Sequence, residues 1–302
     1  MKKRLVKRKL APYLLLMPFL ILMGLFSAGI INAVVQSLGY IPAFELNTFT
    51  LSYYREIFRD GKYMQSIGYS LWIAGISSVC SVILGVMLCV VLLSFKKPSR
   101  LGRFSKSLVN LPVITPHTIV ALFVISIFAG SGLISRILFS VGVIASPEDF
   151  PSLLYDSKGF GVILAYLWKE IPFVCMFVMT VMANISDKYS EAALSLGAGK
   201  IKTFLFVTLP LCRPSIAGAF FIIFTYSFGA YELPFLLGST TPKALPVQSF
   251  IEYTHPDLRH RPYAMVLNVL MIAVGLAASV VYFRLLEKKR KNKEESPDEK
   301  DK

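Results

Sequence analysis

Three charged residues lie inside strongly apolar stretches of this sequence: Lys169, Glu170 and Glu232. A charge in hydrocarbon is costly unless it is paired or lines a polar cavity, so each is a candidate functional residue. Glu232 follows Tyr231, and Tyr226 stands one and a half helical turns before it. A carboxylate beside aromatic rings can bind a cation through charge and cation–π contact. These residue types therefore favour recognition of a cationic solute.

The same residues have a second interpretation, which is contact between helices. Lys169 and Glu170 are neighbours about 100° apart on a helix, so they do not share a face. Pro172 follows them and frees backbone carbonyls that could line a cavity. Glu232 could instead meet a basic side chain or a backbone amide of a partner subunit. With both interpretations open, the predicted substrate path consists of Glu232, Tyr231, Tyr226 and Glu170.

The sequence lacks the motifs of intrinsic catalysis. It contains no GxxxxGK[ST] phosphate loop, no HExxH or CxxC metal pattern and no GxSxG nucleophile elbow. Its four cysteines make no such pair, and packing is their expected role. His117 stands alone within LPVITPHTIVAL, where an interhelical contact is favoured over a gating role. We therefore predict that the chain is not an enzyme and binds no metal or cofactor itself.

The composition indicates a membrane protein. Of 302 residues, 55% are hydrophobic and only 17% are charged, and the mean hydropathy is +0.61. A membrane-spanning helix needs roughly 20 mainly apolar residues. The segment 133–145 is too short and predicts an interfacial or re-entrant helix. We predict one all-α domain, residues 1–302, with six spans near 11–38, 67–94, 108–129, 160–183, 215–238 and 263–285.

The placement of basic residues predicts the topology, because cytoplasmic loops carry an excess of Lys and Arg. The N-terminal arm has six, the segment after the second span five, the segment after the fourth span four and the C-terminal tail eight. The three remaining loops have eight basic residues against eight acidic ones. This distribution predicts that both termini are cytoplasmic, and it assigns the net charge of +14 to topology rather than to nucleic-acid binding. The charged tail 288–302 is predicted to be disordered.

One polar segment interrupts the apolar pattern, EAALSLGAGKIKTFLFVTLP at residues 191–210. Glycine adopts a positive φ without steric cost, and proline cannot donate a helical hydrogen bond. The segment therefore predicts a helix over 191–196, a turn at Gly197 and Gly199, a second helix over 201–207 and a stop at Pro210. We treat residues 186–214 as a cytoplasmic loop that another protein could bind.

The spacing within this loop resembles the signature loop of the membrane subunits of ABC importers. The residues that carry the resemblance are Glu191, Ala192, Ala193, Gly197, Val207, Leu209 and Pro210. Val207 stands where isoleucine is usual in the family. Three further segments are similar to helices of these permeases, especially the spermidine/putrescine group and its relatives: NLPVITPHTIVAL, YLWKEIPF and FGAYELPFLLG.

The resemblance implies a MetI-like permease core in a bacterial cell membrane, and it implies partners. Two ATPase subunits would bind ATP and Mg²⁺ and contact the residues of the signature loop. A second permease, which we expect to be a different chain, would complete the path, and an external binding protein would deliver a small solute such as a polyamine. The alternative class is a secondary transporter or channel that acts without an ATPase. That class favours inverted repeats or a relay of intramembrane acids, which we do not find in the sequence.

Overall fold

The computed structural model describes residues 2–94, 109–183, 189, 192–193 and 195–294. The regular elements of these residues are helices, and Ile41 and Leu46 form an isolated antiparallel β-bridge. In chain order the α-helices are α1 Lys2–Ser37, α2 Ser52–Arg59, α3 Gly61–Ser94, α4 His117–Phe128, α5 Leu133–Ser140, α6 Phe160–Ala183, α7 Lys200–Thr203, α8 Leu209–Gly229, α9 Glu232–Leu237, α10 Leu245–Tyr253 and α11 Arg261–Glu294.

Among the described residues, six helical stretches are long and apolar enough to cross a membrane, so the predicted all-α fold with six spans is confirmed. The stretches are Pro12–Ser37, Gly61–Leu92, His117–Ser140, Phe160–Thr180, Ile201–Gly229 and Leu258–Glu287. The chain is therefore a multi-pass membrane protein.

Two of the predicted spans are interrupted. The third breaks at Thr115 and Pro116, between helical residues 109–114 and α4, because proline disfavours helical backbone at the preceding residue and donates no hydrogen bond. The fifth was predicted to continue to residue 238, but α8 ends at Gly229 and Ala230 is extended. Pro234 then lies in the first turn of α9, where helical N–H groups have no intrahelical acceptor in any case.

Two other predictions about boundaries have different outcomes. The segment 133–145 forms the eight-residue helix α5, about 12 Å long, which by itself is too short to cross a bilayer. The predicted disorder of the tail is wrong over residues 288–294, because α11 continues to Glu294. Apolar contacts are not needed there, since a helix already nucleated in the span can propagate by one hydrogen bond per residue. Residues 295–302 lie outside the described part of the chain.

The backbone divides into two compact units, where the sequence predicts one domain. The first consists of residues 1–61 and 249–270. Its two segments are joined by side chains: Tyr263 donates to Glu56, and the Arg261 guanidinium lies 5.9 Å from the centre of the Phe44 ring. Within the second segment, His260 Nδ1 is 2.9 Å from the buried Glu252 carboxylate.

The second unit, residues 62–248 and 271–302, contains the core of the bundle. Helices α3, α6 and α8 meet in a cluster of fully or nearly fully buried side chains: Cys89, Val174, Cys175, Val178, Phe204, Ala219 and Ile223. In the part of the chain that the structure describes, the cysteines are free thiols, in keeping with the packing role expected for them. Helix α9 packs against α4 and α6, which brings the two interrupted spans together.

Close approach of α3 to α6 depends on Gly85. A Cβ added at this position would lie 2.7 Å from Val174 Cβ and 2.9 Å from the Ile171 carbonyl oxygen. These distances are too short for van der Waals contact, and the second atom is backbone that cannot rotate away. A methyl group at Gly85 would therefore push the two helices apart.

We predict that Gly85→Ala lowers the stability of the purified chain by about 1–3 kcal/mol, the usual cost of overpacking. Gly75→Ala is the matched control, because it lies in the same helix and a Cβ there meets nothing within 4 Å. Alanine should leave stability unchanged at Gly75 or raise it by about 0.5–1 kcal/mol through helix propensity. Thermal unfolding in detergent measures both, and equal melting temperatures for the two variants would contradict the packing argument.

Candidate functional site

The signature loop forms a turn of defined backbone geometry at Gly197. This residue has φ +84°, a left-handed conformation that glycine adopts readily. The amide of Ala198 donates to the Ala193 carbonyl and the amide of Leu196 to the Ala192 carbonyl, at 3.0 and 3.1 Å. The first of these bonds and the left-handed glycine are the marks of a Schellman motif, which ends a helix. The turn predicted at Gly197 is thus confirmed. Glu191 lies outside the described residues.

Gly199 has a different function from the one predicted, because its φ is not positive and it does not form the turn. Its carbonyl accepts a hydrogen bond from the Thr203 amide at 2.9 Å, at the start of α7. The loop therefore needs one left-handed glycine rather than two.

The predicted stop at Pro210 is wrong. Residues from Lys200 to Gly229 are continuously helical, with a π-helical segment over Phe204–Thr208 between α7 and α8. The Leu209 amide bonds to the Phe204 carbonyl, five residues back, and Pro210 lies in the first turn of α8. A wider turn before a proline leaves room for the pyrrolidine ring. The helix also continues although Pro210 has no N–H to donate. The proline thus shifts the helical register instead of ending the helix.

The π-helical segment has two buried side chains, Phe204 and Thr208, and others at the surface. Phe204 belongs to the buried cluster with Cys89 and Val174, whereas Phe206 is 77% exposed. Leu196, beside the turn, is 89% exposed. The wide turn thus joins an exposed apolar surface directly to the packed helices of the bundle.

Several polar side chains come together where the two interrupted spans meet. Lys169 Nζ donates to the Thr115 carbonyl at 2.5 Å, at the break before α4. His117, the first residue of α4, is hydrogen-bonded to the Tyr226 hydroxyl, with 2.8 Å between Nε2 and the oxygen. Its Nδ1 atom is 4.0 Å from a Glu232 carboxylate oxygen. We call these four side chains, Lys169, His117, Tyr226 and Glu232, the polar cluster.

Glu170 occupies a different environment from the other predicted path residues. Its side chain is buried, and its carboxylate accepts hydrogen bonds from Ser81 at 2.9 Å and Ser227 at 2.5 Å. These three residues belong to α3, α6 and α8, so one carboxylate joins three helices. The Tyr166 hydroxyl donates to the Ser227 carbonyl at 3.4 Å and extends this buried layer. By contrast, the Glu232 side chain is 58% exposed.

Sequence patterns did not indicate that Lys169 and His117 share a space with Glu232, because the three residues are far apart in the chain. A signal in the sequence that could have indicated this place is the pair of prolines, Pro116 and Pro234, at the interruptions of two spans. Tyr231 forms an aromatic surface with Phe235: the two rings stack with 4.9 Å between centroids.

Comparison with known proteins gives one consistent result. A model of the family described as "binding-protein-dependent transport system inner membrane component" matches residues 81–292. The probable ABC transporter permease YurN of Bacillus subtilis (strain 168) is 28% identical over 93% of this chain and 97% of its own length. The putrescine transport system permease PotI of Escherichia coli (strain K12) is 24% identical over 76% of this chain and 75% of its own.

A solved structure supports the same fold. A chain of a bacterial ABC transporter involved in the import of the acidic polysaccharide alginate superposes with a TM-score of 0.76 and 19% sequence identity. The likeness covers 93% of this chain and 98% of that one. The expected MetI-like fold is therefore confirmed. With the family model matched over most of its length, this chain belongs to the binding-protein-dependent transport system inner membrane components, the permease subunits of ABC importers.

Proposed function

We propose that this permease forms, with a second permease of different sequence, the translocation path of an ATP-driven importer in a bacterial cell membrane. An external binding protein would deliver the solute, and two ATPase subunits would bind ATP and Mg²⁺ and contact the signature loop on the cytoplasmic side. The chain itself is a transport subunit and not an enzyme. Alternating access would then follow from the difference in ATPase contacts between two states.

The observation that carries this proposal is the link from the signature loop to the core. Leu196 and Phe206 offer an exposed apolar surface, and Phe204 in the same segment is buried among α3, α6 and α8. A displacement of the loop would therefore move packed side chains directly, since a close-packed core transmits strain. Glu191, Ala192, Ala193, Val207, Leu209 and Pro210 are proposed to shape the surface that the ATPase contacts.

We propose that the solute passes the exposed face of the polar cluster, with Glu232, Tyr226 and Tyr231 in contact with it. Glu170 would contribute to this path by holding α3, α6 and α8 together behind it. From the sequence alone, the carboxylate and the neighbouring tyrosines favour a polyamine, and PotI is a relative named for putrescine transport.

The first prediction concerns the turn of the signature loop. Gly197→Ala forces a side chain into the left-handed conformation, at about 1–2 kcal/mol. We expect association of the purified permease complex with its ATPase subunits to weaken by about 5- to 30-fold. Gly199→Ala is the control, because its backbone is not left-handed and a Cβ there has open space. Co-purification and ATP-dependent uptake measure the difference, and identical behaviour of the two variants would show that the turn does not set the contact.

The second prediction separates a solute contact from contact between subunits at Glu232. Glu232→Gln keeps the shape of the side chain and removes its charge. If Glu232 contacts a cationic solute, uptake should be abolished while the assembled complex keeps its basal ATPase activity. Dissociation of the two permeases on size-exclusion chromatography would instead assign Glu232 to the subunit interface.

The alternative function, a secondary transporter or channel, has its own decisive assay. Proteoliposomes that contain only this chain should transport nothing under an imposed proton or sodium gradient. Uptake under those conditions, without an ATPase, would overturn the proposed function.

A further inference from the structure

We propose that the polar cluster binds a neutral, hydroxyl-rich solute, of the saccharide or polyol class, and that Lys169 and His117 are specificity-determining residues. The inference rests on the proposed function, because it names the solute class of the same path. It differs from the polyamine hypothesis in the part it gives to the basic side chains, which the predicted substrate path did not include.

The charges of the cluster oppose each other within a small space. Thr115 accepts the hydrogen bond of Lys169, and His117, two residues later, lies within 4.0 Å of the Glu232 carboxylate. A polycation with one amino group at Glu232 would therefore place its other positive charges in a cluster that already contains the ammonium of Lys169. Like charges repel, and this repulsion would raise the free energy of a bound polycation. A solute with two or more negative groups would meet the same difficulty at Glu232.

A hydroxyl-rich solute fits both halves of the cluster. A hydroxyl group donates one hydrogen bond and accepts others, the Lys ammonium only donates, and the ionised carboxylate only accepts. Tyr226 and the His117 ring, hydrogen-bonded at 2.8 Å, can exchange donor and acceptor roles with an incoming hydroxyl. Hydrogen bonds to charged groups are stronger than neutral ones, so a neutral ligand gains from both signs at once.

An aromatic surface lies next in the chain to Glu232. The rings of Tyr231 and Phe235 stack with 4.9 Å between centroids and 20° between planes, and Phe235 is 55% exposed. The C–H face of a sugar ring is apolar and can cover such a surface, whereas the hydroxyls at its edge reach polar groups. Site chemistry of this kind, an apolar platform with a few placed polar groups, is usual for small-molecule recognition.

The buried layer behind the cluster keeps these groups in position. Ser227, next to Tyr226 in the chain, donates to Glu170, the neighbour of Lys169. Tyr226 and Lys169 thus each stand beside a residue that is fixed by a buried hydrogen bond. The cluster is therefore held on rigid helices, which favours a specific geometry.

The experiment asks whether each of two charge-removing substitutions raises or lowers solute uptake. The native host carries wild-type, deletion, Lys169→Met or Glu232→Gln alleles and grows in yeast-extract medium supplemented with putrescine, sodium sulfate, maltose and raffinose. Mass spectrometry of the medium identifies which solute the deletion leaves unconsumed, and uptake of that labelled solute is then measured in all strains. For a hydroxyl-rich solute, both substitutions should lower uptake by about tenfold, because each removes a charge-assisted hydrogen bond.

The other solute classes give opposite signs. For a polycation, Lys169→Met should raise uptake and Glu232→Gln should abolish it; for an anion, the two effects should be reversed. Either pattern, or an unconsumed solute that is an amine or an inorganic anion, overturns the inference while the proposed import function stands. If the deletion leaves every solute consumed as in wild type, the proposed import function itself fails.

Matched controls separate specificity from folding. Lys158→Met and Glu148→Gln make the same chemical changes at exposed positions outside the candidate spans, and uptake should stay at the wild-type level. Basal ATPase activity of the purified complex shows whether each cluster variant still assembles. If the complex with Lys169→Met does not assemble, His117→Gln tests the same inference. Glutamine keeps a hydrogen-bonding side chain but lacks the imidazole ring. Uptake of a hydroxyl-rich solute should therefore fall, and uptake of a cation should not rise.

Discussion

The cost of an unsatisfied backbone polar group in hydrocarbon governs this structure. A continuous helix satisfies every interior N–H and carbonyl, so each interruption requires another partner. At Thr115 the carbonyl accepts from Lys169, and at Phe204 the carbonyl accepts from the Leu209 amide across a wide turn. These two interruptions, where another donor satisfies the free carbonyl, lie at the polar cluster and at the signature loop, the two regions with a proposed function. The residues proposed to act therefore lie where the regular helix is interrupted.

These interruptions lie in the proposed energy-coupling region and in the proposed solute region, and the two regions share helices. Helix α8 begins directly after the π-helical segment and reaches Tyr226 and Ser227 near its other end. A displacement that starts at Phe204 can therefore reach the polar cluster along one rigid element, without an intervening loop. Coupling through a two-state movement of packed helices needs no further device.

The fold was largely predictable from the sequence, and the site only in part. Hydropathy gave the six spans, because each is a local property of about 20 residues, and the glycine at 197 gave the turn. Pro210 was misread as a stop, since a proline can also begin a helical segment when the preceding turn widens. The meeting of Lys169, His117 and Glu232 depends on how α4, α6 and α9 pack, and no local pattern specifies such long-range packing.

Two glutamates show most clearly what the sequence left undetermined. Glu170 and Glu232 stand in similar apolar contexts, each two residues before a proline. One is buried and holds α3, α6 and α8 together through two serines, and the other is mostly exposed beside a histidine. The difference comes from Ser81, 89 positions away from Glu170 in the chain, and from Ser227, 57 positions away. A buried carboxylate that accepts hydrogen bonds from two other helices stabilises the bundle, whereas an exposed one is accessible to the proposed solute.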